Sequence, residues 1–162
     1  MVSAPSFDSA SAEIWVDLPD AAATEALGAR LAGLVLPGLF IALSGGLGAG
    51  KTTLARGFVR AWTGQDDPVP SPTFTLVQTY DGPRGGVWHL DLYRLKAVDE
   101  IEELGLTEAL ADAVCLVEWA ERLGPALPAE RLDIALALAP TGRTAQIAWR
   151  GAGAPDWMDQ LA

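Results

Sequence analysis

The sequence predicts an α/β protein with three layers, in which a mixed sheet with a parallel core and antiparallel strands at the edges is packed between helices. Three observations predict it. The apolar run Leu39-Phe40-Ile41-Ala42-Leu43 leads into the glycine-rich stretch GGLGAGKT, Gly45 to Thr52, and a helical pattern follows. A second apolar run, Val114-Cys115-Leu116-Val117, ends in the acid Glu118. Two further stretches alternate apolar and polar residues about turn-forming segments, as hairpins do. Strand, glycine loop, helix is the unit of a P-loop NTPase-like fold.

The elements follow in order. Trp15-Val16-Asp17-Leu18 reads as a short strand, and Asp20 is placed to cap a helix whose Leu27, Leu31 and Leu34 form one apolar stripe. Pro37-Gly38 ends that helix and turns into the strand before the loop. After the loop, Leu54, Phe58 and Ala61 or Trp62 recur at helical spacing and Gly64 supplies a stop. Pro68, Pro70 and Pro72 stiffen a connector into a strand from Thr73 to Tyr80. The turn Asp81-Gly82-Pro83-Arg84-Gly85-Gly86 joins it to Trp88–Tyr93 as an antiparallel hairpin. A helical region spans Asp99 to Leu110, followed by the buried strand Val114 to Val117. Leu132, Ile134, Leu136 and Leu138 alternate with polar or small residues, as do Ala145, Ile147 and Trp149. With Pro140-Thr141-Gly142-Arg143 between them they form a second hairpin, expected at the sheet edge. Gly151 to Gly153 loosens the chain before a terminal segment, 151–162, containing Trp157.

Composition bounds the function. The chain has 162 residues, which predicts one domain over 1–162, with 1–12 as a frayed tail. That start lacks the charged and apolar regions of a signal peptide. No apolar stretch approaches the roughly 20 residues that span a bilayer. Cys115 is the only cysteine and lies in an apolar run, so it reads as a small buried hydrophobe in a reducing, cytoplasmic protein. A formal net charge of −10 argues against a broad nucleic-acid-binding surface. Arg56 and Arg60, one turn apart after the loop, read as a solvated helix face.

GGLGAGKT matches G-x-x-x-x-G-K-[ST]. In that motif the backbone N–H groups turn inward onto phosphate oxygens, at the positive end of the following helix dipole. The cradle comprises Gly45, Gly46, Leu47, Gly48, Ala49, Gly50, Lys51, Thr52 and Thr53. Lys51 reaches phosphate as a point charge and the Thr52 hydroxyl is a Mg²⁺ ligand. Hydrolysis also requires a carboxylate for the metal and a group that orients water. Glu118, at the end of a buried strand where α/β sheets place ligands, is the Walker-B-like acid. Asp91, flanked by Leu90 and Leu92, needs a partner or a metal to be buried. Strand alternation puts His89, Asp91 and Tyr93 on one face, and the sole histidine reads as a structural partner of Asp91 or of backbone. Ser71-Pro72-Thr73 sits where P-loop proteins place a segment that senses phosphate and metal. Leu43-Ser44-Gly45-Gly46 spells a transport-ATPase signature, but overlaps the loop and so is coincidental.

GGLGAGKTTLARGF, SPTFTLVQTY, WHLDLYRL, IEELGL and CLVEWAERL together closely resemble the TsaE family, also called YjeE, over most of residues 39–124. The flanking LPDAAATEALGARLA also looks similar. The resemblance implies ATP with Mg²⁺ as ligand, and weak ATPase activity that depends on partners. Those partners are TsaB and TsaD, in the threonylcarbamoylation of adenosine 37 of tRNA, with tRNA held mainly by the partners and no membrane involved. It implies that Lys51 and Thr52 contact phosphate and Mg²⁺, and that Glu118 contacts Mg²⁺. Asp91 is implied to be needed for hydrolysis, Thr73 to act as the switch-like threonine, and Trp119 to stand beside the site. The family usually carries an acid just after the first loop glycine, where this chain has Gly46. The alternatives are a small-molecule P-loop kinase, without an obvious arginine-bearing lid here, a GTP switch, for which the N-K-x-D motif is missing, and a nucleotide-binding subunit that does not hydrolyse. Thr24 and the segment after Glu130 are the candidates for the adenine pocket.

Overall fold

The structure is a computed structural model and describes residues 12–162. Seven strands form one sheet, β1 (Ala12–Leu18), β2 (Phe40–Ser44), β3 (Val77–Gly82), β4 (Gly85–Asp91), β5 (Ala113–Glu118), β6 (Arg131–Leu138) and β7 (Arg143–Arg150). Their spatial order is β1-β7-β6-β2-β5-β4-β3. The four central strands β6, β2, β5 and β4 run parallel, whereas β7 and β1 on one flank and β3 on the other pair antiparallel. The mixed sheet with a parallel core is therefore as expected. The second hairpin, β6–β7, is not at the edge, because β1 pairs with β7 from Arg143 to Trp149 and takes that position. The predicted tail falls on residues 1–11, outside the described residues, except that its last residue, Ala12, already belongs to β1.

Alternation along the central strands divides the core. Ile41, Leu43, Val114, Leu116, Leu132 and Ile134 face one side, with helix α1 (Ala21–Leu34) and helix α2 (Lys51–Thr63). Phe40, Ala42, Cys115, Val117 and Leu90 face the other. There they meet the short helices α3 (Asp99–Leu104) and α4 (Leu106–Ala109) and the 3₁₀ segment Ala120–Ala126. β5 is buried at every position, as a strand covered on both faces must be. These are the three layers.

Helix α1 starts where Asp20 accepts a hydrogen bond from the Ala23 N–H at 2.8 Å. Helix α2 ends at Gly64, whose left-handed φ of 73° no β-carbon favours. Glycines also set how closely the two helices cross. A Cβ on Gly57 would run into the Glu25 carbonyl, and one on Gly28 would lie 2.8 Å from the Phe58 nitrogen. Arg60 is drawn into an ion pair with Glu25 at 2.9 Å, so it is not a free solvated cation. Toward the C-terminus, the 3₁₀ segment Asp156–Leu161 buries Met158 and Leu161 against the α1 side of the core.

Several expected boundaries move. The first strand runs Ala12–Leu18, not Trp15–Leu18, and the second strand of the first hairpin runs Gly85–Asp91, not Trp88–Tyr93, so its turn shrinks to Pro83-Arg84. The strand after the proline-rich connector begins at Val77, not Thr73, because Leu76 adopts a left-handed φ of 66° and breaks the extended path. The helical region around Asp99–Leu110 is split by Gly105, also left-handed at φ 85°.

Candidate functional site

Sheet order gathers the polar residues at one end of the parallel strands. β2 delivers the glycine loop, β5 delivers Glu118, and β4, beside β5 in register, pairs Asp91 directly with Glu118. Val87, His89 and Asp91 alternate onto the α2 side of β4, as Val114, Leu116 and Glu118 do on β5. The start of α2 lies above that face. His89, Asp91 and Glu118 are 0%, 4% and 2% exposed, so each carries its partners with it.

The loop is held in the cradle conformation by its glycines. Gly45, Gly48 and Gly50 have φ of 137°, 76° and 109°. Gly45 leaves no room for a side chain against the Leu136 carbonyl. Gly46 is different: its surroundings within 4 Å are open, so an acid would fit there without steric conflict. Lys51 folds over the loop and donates from Nζ to the Gly45 and Gly46 carbonyls at 2.7 and 2.8 Å. The same ammonium lies 4.4 Å from the ring centroid of Trp119, a cation–π contact. Burial lowers the pKa of Lys51, while the charges of Glu118, Glu121 and Asp91 pull it back up. Phosphate oxygens would offer the ammonium partners in place of the two carbonyls.

Thr52, the second residue of α2, donates from Oγ1 to Glu118 Oε1 at 3.0 Å. The other carboxylate oxygen, Oε2, lies 2.6 Å from His89 Nε2. Glu118 thus joins the loop helix to β4. The expected partner of His89, Asp91 or backbone, is replaced by this carboxylate one strand away. Asp91 has a separate set of partners. Its Oδ2 accepts from Ser71 at 3.0 Å and Thr73 at 2.9 Å, and its Oδ1 accepts from the Tyr93 N–H at 3.0 Å. The Ser71-Pro72-Thr73 segment is therefore fastened to a strand-end carboxylate. Tyr93 has left the strand face, and its ring stacks at a tilt on Trp119 with centroids 5.0 Å apart. Trp119 itself sits at φ 58°, ψ 38°, a left-handed conformation that is costly for a non-glycine residue and turns the chain sharply after Glu118.

All the residues singled out from sequence, from the 45–53 loop to Ser71, Thr73, Asp91, Glu118 and Trp119, meet in this one region. Two others join them. Arg143, the first residue of β7, donates from Nη2 to the Gly48 carbonyl at 3.2 Å. Its Nε is buried with no partner. A Cβ on Gly50 would touch Arg143 at 3.2 Å and Thr24 at 3.4 Å, so these two side chains flank the last loop glycine. Thr24 is one of the sequence's candidates for the adenine pocket, and Arg143 lies within the other, the segment after Glu130. The hairpin is legible, but its reach to the loop depends on strand order.

The donors fit a hard divalent cation only in part. No group of three or more His, Cys, Asp or Glu side chains is arranged to hold a metal ion among the described residues. One hydroxyl and one carboxylate at the loop helix do suit Mg²⁺, which takes few protein oxygens and completes its shell with phosphates and water. No helix among the described residues is long and apolar enough to cross a membrane.

The family model described as "Threonylcarbamoyl adenosine biosynthesis protein TsaE" matches residues 18–145. A relative from Rickettsia bellii, "tRNA threonylcarbamoyladenosine biosynthesis protein TsaE", is 42% identical over 102 residues, 63% of this chain and 71% of its own. A protein of the same description from Rickettsia conorii is 43% identical over 98 residues, 60% of this chain, and the match spans only 56% of that relative's length. Among solved structures, that of Bacillus subtilis YdiB superposes with a TM-score of 0.73 at 29% identity, covering 93% of this chain and 91% of the other. The fold is thus P-loop NTPase-like.

Proposed function

The chain belongs to the TsaE family of threonylcarbamoyl adenosine biosynthesis proteins, and on that premise we propose that it is an ATPase that binds ATP with Mg²⁺. Its hydrolysis supports a TsaB–TsaD complex in the threonylcarbamoylation of adenosine 37 of tRNA. The observation that carries the reading is the hydrogen bond from Thr52 to Glu118 at 3.0 Å. It couples the first turn of the loop helix to a buried strand-end acid, the pairing a Mg²⁺-nucleotide site requires. The whole chain acts as one cytoplasmic domain, and tRNA is held mainly by the partners, as the net charge of −10 favours.

Residues 45–53 cradle the phosphates through backbone N–H groups. Lys51 leaves the Gly45 and Gly46 carbonyls for phosphate oxygens and stabilises charge developing on the transferred group. Thr52 and Glu118 hold Mg²⁺, directly or through water. When bound, the ion neutralises phosphate charge and aligns the phosphates. Asp91 positions the attacking water or its network, and the Ser71–Thr73 segment that it holds carries the nucleotide state to the partner surface. Thr24 and Arg143, which flank the last loop glycine, are the candidates to border the base.

The test mixes the chain with TsaB and TsaD and follows ATP turnover together with repeated tRNA modification. Both are expected to appear together and to be lost in Lys51→Ala and Glu118→Ala. Turnover that persists in either variant refutes the assignment.

A further inference from the structure

We infer that His89 is a positioning residue for Glu118, fixing how that carboxylate presents its oxygens to Thr52 and to Mg²⁺ without itself touching nucleotide or ion. The inference rests on the ATP·Mg²⁺ reading above. The terminal torsion of a glutamate is broad, so a lone carboxylate offers its oxygens in many orientations. Here two donors remove that freedom: Thr52 bonds Oε1 at 3.0 Å and also reaches Oε2 at 3.3 Å, while His89 holds Oε2 at 2.6 Å. An ionised carboxylate only accepts, so the imidazole hydrogen belongs on Nε2.

The other ring nitrogen shows that packing alone does not account for this histidine. Nδ1 is buried and has no hydrogen-bond partner. An orphaned nitrogen on a side chain with no exposed surface costs folding free energy that an apolar residue of the same volume would not. The cost is understandable if Nε2 has a task. Topology supports the same conclusion. His89 stands one pleat behind Asp91 on the same face of β4, opposite Leu116. The ring therefore approaches Glu118 diagonally from the adjacent strand. Partners of this kind, one step removed from a metal, typically change metal affinity by about 10–100-fold when lost.

The full chain is tested with a fluorescent, non-hydrolysable ATP analogue, its binding followed with and without Mg²⁺. For His89→Leu, which keeps volume and removes the donor, the Mg²⁺-free affinity should stay within about twofold of wild type. The Mg²⁺ concentration for half-saturation should rise about tenfold. His89→Gln, which restores an N–H near the Nε2 position, should bring that concentration back to within about threefold. A folded His89→Leu protein with the wild-type Mg²⁺ requirement overturns the inference, as does a folded His89→Gln protein no better than leucine. If both variants fail to fold, the wild type decides. His89 is the only histidine, so ¹⁵N-histidine labelling gives one unambiguous imidazole spectrum. Its Nε2 resonance should move on adding Mg²⁺ to the nucleotide complex, by more than on adding nucleotide alone; indifference to Mg²⁺ overturns the inference. Wild-type protein that binds no analogue refutes the ATP reading itself, and with it this inference, before any variant is compared.

Discussion

Replacing Gly57 by alanine should loosen the protein, although alanine is the better helix former. At an exposed helical site the change would gain about 1 kcal/mol. Gly57 is instead pressed on α1. Its added Cβ would run into the Glu25 carbonyl and lie 2.7 Å from the carbonyl carbon and 2.9 Å from Cα, where ordinary contact begins at 3.4 Å. The obstacle is backbone, so no side chain can swing aside and the helices must separate. Overpacking costs roughly 1–3 kcal/mol, and an immovable neighbour argues for the upper end. Setting the propensity gain against it leaves a net loss of about 2 kcal/mol. For a chain of this size each kcal/mol moves Tm by roughly 2–4 °C, so the midpoint should fall by about 4–8 °C. Thermal unfolding followed by circular dichroism measures it. Gly33→Ala is the control: it lies in α1 with nothing within 4 Å of the new Cβ and should be neutral or stabilising by up to about 1 kcal/mol. Adding Gly28→Ala to Gly57→Ala should cost less than the sum, because the first substitution has already parted the helices. An unchanged or raised Tm for Gly57→Ala, with Gly33→Ala behaving as stated, would refute the close-crossing argument.

Three other outcomes are expected. Asp91→Ala removes the partner of Ser71 and Thr73, so amide exchange across residues 71–76 should quicken while the sheet core stays protected; unaltered exchange there would contradict the clasp. Burial pushes the Cys115 thiol up from 9.0 to about 12. The unfolded chain therefore ionises first, and between about pH 9 and 12 this thiol should take about 1.4 kcal/mol of stability per unit, so urea titrations should find a correspondingly shallower decline in Cys115→Ala. Gly46→Asp should leave Tm within about 1 °C of wild type, since the site is open and exposed; a large fall would show that the glycine is sterically required.

The parts legible in the sequence are those whose physics is local. A five-residue apolar run, a glycine loop and a helical repeat announce β2, the cradle and α2 without reference to anything distant. Glu118 was legible because a buried strand that ends in an acid has few bland explanations. The partner of His89 was not, because alternation shows which face a residue shares but not which strand lies alongside. Asp91, on the same strand, is the partner that alternation suggests; the adjacent β5 supplies Glu118 instead. The same blindness hid the place of β1 at the edge and the reach of Arg143 to the loop. The backbone turns at Leu76 and Trp119 are illegible for another reason: each holds a left-handed conformation that its own side chain disfavours, so only tertiary contacts could impose it.

The strand order also sets a schedule for synthesis. β2 is made early, yet both its neighbours, β5 and β6, come from much later in the chain. At roughly 5–20 residues per second a ribosome needs roughly 4–14 s to add the intervening ~70 residues to β5. Throughout that interval the apolar backbone of β2 has no strand to pair with, and the glycine loop has no opposing acid. Nucleotide can therefore assist folding only at the end, as a ligand that recognises the assembled sheet. A nascent chain stalled before residue 113 would present an unpaired hydrophobic strand to chaperones and to other chains.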